Sequence, residues 1–218
     1  MRRIVLIGAG GLAAEMVEAI KKINRASGDV VYEIVGLVVE ERYYREGMTT
    51  NGYPVIGTID WLIDNKENVC VACAVGTPKE RARIQRELTA KGIEFVNIVE
   101  PDVFIADTAV MGKGIYIAGG SSVSTYCNIG DGVILNGGVL IGHDTSIGAY
   151  TCMMTRADAG GRCKIGEEIL VGAHAYIVPD RKIGNGATIA AGSVVFTNVK
   201  PNTTVLGNPA RRMKELEN

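Results

Sequence analysis

The sequence predicts a two-part chain: an α/β half domain over residues 1–99, then an all-β parallel β-helix over residues 100–218. Three observations carry this. From Val103 to Asn198 the chain divides into consecutive blocks of six without an insertion, and the third residue of every block is apolar: Ile105, Met111, Ile117, Val123, Ile129, Leu135, Ile141, Ile147, Met153, Ala159, Ile165, Val171, Ile177, Ile183, Ile189 and Val195. The fourth residue of a block is usually small (Gly112, Gly130, Gly142, Gly148, Gly160, Gly166, Gly172, Gly184), and the first is mostly small or aliphatic (Ala109, Ser121, Cys127, Ala157, Cys163, Ala175, Ala187). Ahead of the blocks, short β-branched runs alternate with helical patterns.

A hexapeptide period is the signature of a parallel β-helix. Each block is a short straight segment that turns a corner, and three consecutive blocks close one triangular coil. Coils stack at the parallel-strand spacing of about 4.8 Å. The third side chain then points into a narrow prism, which suits aliphatic residues in a chain that is only 6% aromatic. Each such burial contributes roughly 1.5–3 kcal/mol before entropy is subtracted.

In the first part, Arg3 to Ile7 reads as a strand, Gly8 to Ala14 as a glycine loop, and the stretch to about Arg25 as a helix. Gly8, Gly10 and Ala13 fit the G-x-G-x-x-G/A spacing of a Rossmann-like fold, in which glycines let the backbone approach a phosphate at a helix N-terminus. Gly11 and Leu12 complete that loop. A second strand, Tyr32 to Val39, ends at Glu40 and Glu41, where a carboxylate could meet a ribose hydroxyl or simply sit in a solvated turn. Further elements are a strand near Pro54 to Gly57, a helix from Asp60 to about Asn65, an apolar strand around Cys70, a helix from Pro78 to Lys91 and a strand from Glu94 to Ile98. This alternation builds a small parallel sheet with helices on its faces. It amounts to about half of a dinucleotide fold, which suits a mononucleotide or nucleotide-sugar better than a whole NAD. Glu100-Pro101 marks the boundary.

A formal charge of −1 without a long Lys/Arg run argues against nucleic acid as the main partner, and no stretch reads as a membrane span. The apolar run Ile4 to Ala14 contains three glycines and leads into Glu15, so it reads as strand and loop rather than a signal peptide. Five cysteines, an odd number with no export signal, suggest a reducing cytoplasm. Cys70 and Cys73 form a C-x-x-C, but on a strand positions i and i+3 point to opposite faces, which disfavours a metal or redox role.

The only histidines are His143 and His174. His143 is the fifth residue of its block, at a corner, followed by Asp144; a histidine oriented by a carboxylate makes a general base. Three blocks on lies Gly161, one coil above on the same corner, where a bare backbone would leave room for a ligand and offer an N–H. Gly161→Val is therefore expected to fill a groove. Ala173 stacks under Ala191 on a different corner column. Cys152, second in its block, is expected to point outward and be available to a ligand. His174 lies five blocks beyond His143, on another face, and reads as surface or interface.

Taken together, these parts resemble the nucleotide-sugar N-acetyltransferases and the sialic acid O-acetyltransferase group of the hexapeptide-repeat acyltransferase superfamily. The likeness rests on Gly8-Ala9-Gly10-Gly11, Val75-Gly76 before a helix with Arg81, Val96-Asn97-Ile98 with Pro101, Ile134-Leu135-Asn136, Gly142-His143-Asp144 and Gly207-Asn208-Pro209-Ala210-Arg211. The resemblance implies a left-handed β-helix and a homotrimer with acetyl-CoA in the groove between two β-helices, acting on a nucleotide-linked sugar for surface glycan. By the same resemblance His143 is the base, oriented by Asp144. Backbone at Gly161, Ala173 and Ala191 holds the pantetheine arm, Pro209 and Ala210 lie near the adenine, and Gly8, Gly10, Gly11, Leu12, Glu40, Gly76, Asn136 and Cys152 border the substrate. Arg211, Arg212 and Lys214 could meet the CoA phosphates or merely cap the last coil. The chain departs from the pattern at Leu12 and Cys152, where histidines are common, and over Met153 to Ala157.

A zinc enzyme on this fold needs three histidines, one more than the chain contains. Two alternatives stay open: a non-catalytic trimeric protein that binds sugar nucleotide and CoA, and an NAD-dependent oxidoreductase resting on the glycine spacing alone.

Overall fold

The first unit grows around Arg2–Ile7 (β1), whose last four residues are buried on both faces, as a central parallel strand requires. In the computed structural model, which describes residues 1–213, the glycine loop leads into helix Gly11–Ser27 (α1), then Tyr32–Val39 (β2), Thr49–Thr50 (β3), Tyr53–Thr58 (β4), helix Ile59–Asn65 (α2), Cys70–Cys73 (β5) and helix Pro78–Ala90 (α3). The strands lie in the order β3-β4-β2-β1-β5, all neighbours parallel except the β3–β4 hairpin. α1 buries Ala13, Met16, Val17 and Ile20, one stripe at helical spacing, and ends at Gly28 in the left-handed conformation. α3 opens with Pro78 in its first turn, where no amide hydrogen is needed. Val5, Val38, Leu62, Val71, Ile84 and Leu88 are the centre of the core.

The strand expected over 94–98 is reduced to a bridge between Phe95 and Val71 and a two-residue strand, Ile98–Val99. Asn97 causes the break: its side-chain oxygen accepts the Ile115 N–H at 3.0 Å, and Ile98 N–H then donates to the Ile115 carbonyl. Residues Lys113–Tyr116 accordingly belong with Met1–Pro101 in one unit, and Asp102–Gly112 with the chain from Ile117 onward in the other.

The second unit is a left-handed parallel β-helix of three sheets. Within the blocks its strands are two residues long and fall on the second and third positions; beyond them Thr204–Leu206 adds to Thr188–Ile189 in parallel and pairs antiparallel with Arg211–Arg212. Each block strand pairs in parallel with the strand three blocks further along, as in Ser122↔Leu140, Ile129↔Ile147 and Leu135↔Met153. Third-position residues such as Val123, Leu135, Met153, Val171 and Ile189 are fully buried. First positions are mostly small or aliphatic, and the small polar ones bond within the prism: Ser121, Cys127, Thr145, Thr151 and Cys163 each donate to a carbonyl 15 residues ahead. At the sixth position, from Gly114 to Gly192, every residue has positive φ, including Tyr126, Asp144, Tyr150, Arg156, Arg162, Glu168, His174 and Asp180. The corner demands that conformation of whatever residue stands there.

Fourth-position glycines are needed for a different reason. A Cβ on Gly148 would lie 2.5 Å from the Gly166 carbonyl carbon and 2.7 Å from the Glu167 nitrogen of the next coil. Gly148→Ala is therefore expected to destabilise the unit by about 1–3 kcal/mol through overpacking. Gly11→Ala, where a Cβ meets nothing within 4 Å, is the control. Unfolding midpoints in denaturant would compare the two, and equal midpoints would contradict this account of the fourth position.

Candidate active site

His143 and Asp144 form one corner of the β-helix. The Asp144 N–H donates to the Thr125 carbonyl (2.9 Å) and the His143 carbonyl accepts from Arg162 N–H (2.8 Å), so the corner is tied to the coils on either side. With φ at 58°, Asp144 turns its carboxylate back onto its neighbour, and Oδ2 lies 2.7 Å from His143 Nδ1. The proton is assigned to Nδ1 from that contact, which leaves Nε2 as an acceptor. Both side chains are about half exposed, at 51% and 52%.

Gly161 does lie over His143, yet the space beside it is not open. A Cβ there would lie 2.7 Å from His143 Nε2 and 2.9 Å from Cε1, so the imidazole itself occupies the room that the glycine leaves. One coil further, Arg162 grips Asp180 with two hydrogen bonds of 2.7 and 2.9 Å, which hold the Asp180 carboxyl below its usual pKa.

Ala173 and Ala191 stack on another corner, tied by Gly192 N–H to the Ala173 carbonyl at 2.8 Å. A groove of about 830 Å³ runs along that corner, lined by Gly137, Gly138, Thr155, Arg156, Asp158 and the exposed His174. Pro209 is exposed, whereas Ala210 is buried and its N–H donates to the Val194 carbonyl at 2.8 Å. Arg211 and Arg212 are exposed; Lys214 lies outside the described residues.

Cys152 does not point to an open surface: it is 2% exposed. The reason lies two residues on. Met154 takes a fourth position, where glycine is usual, and its thioether sits 3.8 Å from the Cys152 thiol and 3.5 Å from the Asn136 amide nitrogen. Asn136 Oδ1 is buried with no hydrogen-bond partner among the described residues.

The first unit contains a cavity of about 420 Å³ at the carboxyl ends of β1, β2 and β5, where a doubly wound sheet binds its ligand. Gly8, Gly10 and Glu40 line it. Gly8 is irreplaceable on two grounds, since its φ is +107° and a Cβ would lie 2.9 Å from the Ala74 carbonyl oxygen. At Gly10 and Gly11 a Cβ would meet nothing within 4 Å, and α1 begins there, so the helix N-terminus with its unpaired amides adjoins the cavity that Gly10 lines. Gly11 is exposed and Leu12 half-buried at the start of α1, outside the lining. The loop of Val75 and Gly76 is fixed by Arg81, which is fully buried and donates to both carbonyls at 2.7 and 2.8 Å. Glu40 is held by Arg83 and by Arg42, residues that the sequence pattern did not single out. Only the Glu80/Arg83 spacing of three on α3 is a local sequence signal; the contact between Arg83 and Glu40 joins residues 43 apart.

Burial raises the Cys70 thiol pKa and pushes that of Cys73 up to about 11, so both stay protonated and poor in redox or ligand chemistry. Among the described residues no group of three or more His, Cys, Asp or Glu is placed to hold a metal ion, and no helix is long and apolar enough to cross a membrane.

A cavity on a half-Rossmann unit and a half-exposed His-Asp corner on a hexapeptide β-helix are the two features that comparison with known proteins has to match. Residues 3–88 match the PglD N-terminal domain family and residues 162–197 the bacterial transferase hexapeptide (six repeats) family. The acetyltransferase domain of PglB from Neisseria gonorrhoeae FA1090 superposes with a TM-score of 0.87 at 28% identity, over 98% of this chain and 100% of that one. The same domain solved with acetyl coenzyme A gives 0.69 at 26%, over 97% and 99%. A His→Asn mutant of perosamine N-acetyltransferase from Caulobacter crescentus, in complex with CoA and GDP-perosamine, gives 0.74 at 22%, over 97% of each chain, a likeness of fold. A Schizosaccharomyces pombe protein assigned by name to the acetyltransferases is 40% identical over 42 residues, 19% of this chain and only 20% of the yeast protein's length. The chain thus carries a match to the PglD N-terminal domain in its first unit and to the bacterial hexapeptide transferases in its second, and it shares its fold with the PglB acetyltransferase domain.

Proposed function

We propose that the chain transfers an acetyl group from acetyl-CoA to an amino or hydroxyl group of a nucleotide-linked sugar, as a homotrimer working in surface-glycan biosynthesis in the cytoplasm. The observation that carries this reading is the His143–Asp144 pair, closed at 2.7 Å on an exposed corner. Acetyl coenzyme A in the Neisseria gonorrhoeae domain, and CoA with GDP-perosamine in the Caulobacter crescentus enzyme, support the choice of both substrates.

In this mechanism His143 Nε2 accepts the proton of the acceptor amine or hydroxyl as that atom attacks the thioester carbonyl. The new C–N or C–O bond forms, the C–S bond breaks, and the proton passes on to the departing thiolate. Asp144 holds the ring and stabilises its charged form. The backbone N–H at Gly161 stabilises the carbonyl oxygen as it gains charge. Backbone at Ala173 and Ala191 of a neighbouring subunit holds the pantetheine arm, with Pro209 and Ala210 towards the adenine. Gly8, Gly10 and Gly11 receive the phosphates, with Leu12, Glu40 and Gly76 around them. On the acceptor side Asn136 and Cys152 lie together under the Met154 thioether, and the Asn136 amide oxygen, without a partner among the described residues, is the polar atom there that an acceptor hydroxyl or amine would meet once Met154 moves.

Asp144→Asn is expected to lower kcat by less than the roughly 10²–10⁴ lost with a general base itself, leaving the KM for acetyl-CoA unchanged. Steady-state rates would show it; an unaltered kcat would remove Asp144 from the mechanism. The reading as a whole is tested with a panel of nucleotide-linked 4-amino sugars and acetyl-CoA, following release of free thiol. Binding without thiol release would favour the non-catalytic alternative, and calorimetric binding of NADH in place of acetyl-CoA would favour the oxidoreductase.

A further inference from the structure

The end of β2 and the first turns of α3 are joined by a closed ring of four charged side chains. Arg83 reaches Glu40 Oε1 and, at 3.1 Å, Glu80 Oε2; Arg42 reaches Glu40 Oε2 at 3.1 Å and Glu80 Oε2 at 3.6 Å. Glu40, Arg42 and Glu80 line the cavity that also contains Gly8 and Gly10. Ion pairs this exposed add little to stability. Stability therefore does not account for four charges at the rim of a cavity whose other walls include Ile7, Val39, Met48 and Ile84.

Glu40 is the more enclosed of the two carboxylates, its side chain 22% exposed against 46% for Glu80. A carboxylate offers about four acceptor positions on its two oxygens. Arg83 and Arg42 each take one, on different oxygens. One position remains on each oxygen, side by side, which is the pattern that two neighbouring hydroxyls can fill.

Resting on the nucleotide-sugar reading above, we propose that Arg83 is a positioning residue that pins Glu40 for the 2′,3′-diol of a ribose. The cavity then selects ribonucleoside diphosphates over their 2′-deoxy counterparts. Arg42, its guanidinium carbon 4.7 Å from the ring centre of Tyr43, holds the second oxygen. Partial burial alone would raise the Glu40 pKa, but the hydrogen bonds from Arg83 and Arg42 outweigh it and bring it below the usual carboxylate value, so both acceptor oxygens carry charge at neutral pH.

The test is calorimetric titration of the whole chain with UDP, dUDP, GDP and dGDP, before any catalysis. For whichever base binds, the ribo form is expected to bind about tenfold to a hundredfold tighter than the deoxy form, the loss of one hydrogen bond to a charged acceptor. Arg83→Gln is expected to bring that ratio towards one, Arg83→Lys to restore part of it, and Glu40→Gln to abolish it, with unfolding midpoints confirming that each variant is folded. Equal ribo and deoxy affinities in the unaltered protein would overturn the diol assignment. An Arg83→Gln ratio unchanged while both affinities fall would overturn the positioning role. Failure of every nucleotide to bind would overturn this inference, while thiol release from acetyl-CoA with a free amino sugar would show that acetyl transfer stands without it.

Discussion

Replacement of His143 by Ala is expected to reduce acetyl transfer by about 10²–10⁴, the contribution of a positioned general base, while binding of CoA and the oligomeric state persist. The separation follows from where the side chain sits. His143 holds its coil through main-chain atoms, its carbonyl to Arg162 and Asp144 N–H to Thr125, and neither bond involves the imidazole. The ring is half exposed, so its loss removes little packing. Single-turnover rates together with CoA titration would measure both quantities. Undiminished turnover would remove His143 as the base, and a loss of CoA affinity matching the loss of rate would make it a binding residue instead.

Gly161→Ala is the second substitution with a large expected effect, and the structure changes its meaning. The sequence suggests a groove that a larger side chain would fill. In the fold, the added methyl would lie 2.7, 2.9 and 3.0 Å from Nε2, Cε1 and Cδ2 of His143. The imidazole is the free end of a side chain and the coil is not, so the ring gives way. A displacement of this size at a reacting group costs on the order of 10²-fold in rate. The expected result is a kcat reduced about a hundredfold with the KM for acetyl-CoA little altered. The opposite split, with KM raised and kcat kept, would return Gly161 to the role of groove wall.

Much of the fold was legible because the hexapeptide period is a local signal. Each third residue reports its own direction, and steps of three blocks convert chain position into place, which put Gly161 over His143 and Ala191 over Ala173. The first unit was readable for a similar reason, since β1, β2 and α3 are bounded by glycine, acidic and proline signals in their own neighbourhoods. What escaped was side-chain reach. Nothing near Cys152 tells that Met154 folds over it, and nothing near Glu40 tells that an arginine 43 residues on will close against it. The conformation of the sixth position was hidden as well, because residues as unlike as Tyr126, Arg162 and Asp180 share it with glycine. Composition does not mark a conformation that the stacking imposes.

The pairing of each strand with the one a full coil away also governs how the chain can change in length. An insertion of one residue would turn every later side chain of its block from inside to outside. A deletion of one block would preserve that alternation yet carry His143 to a different edge of the triangle from its former neighbours. Only the gain or loss of three blocks together leaves every column aligned, so the β-helix can be lengthened or shortened in quanta without the edge that carries His143 being rebuilt.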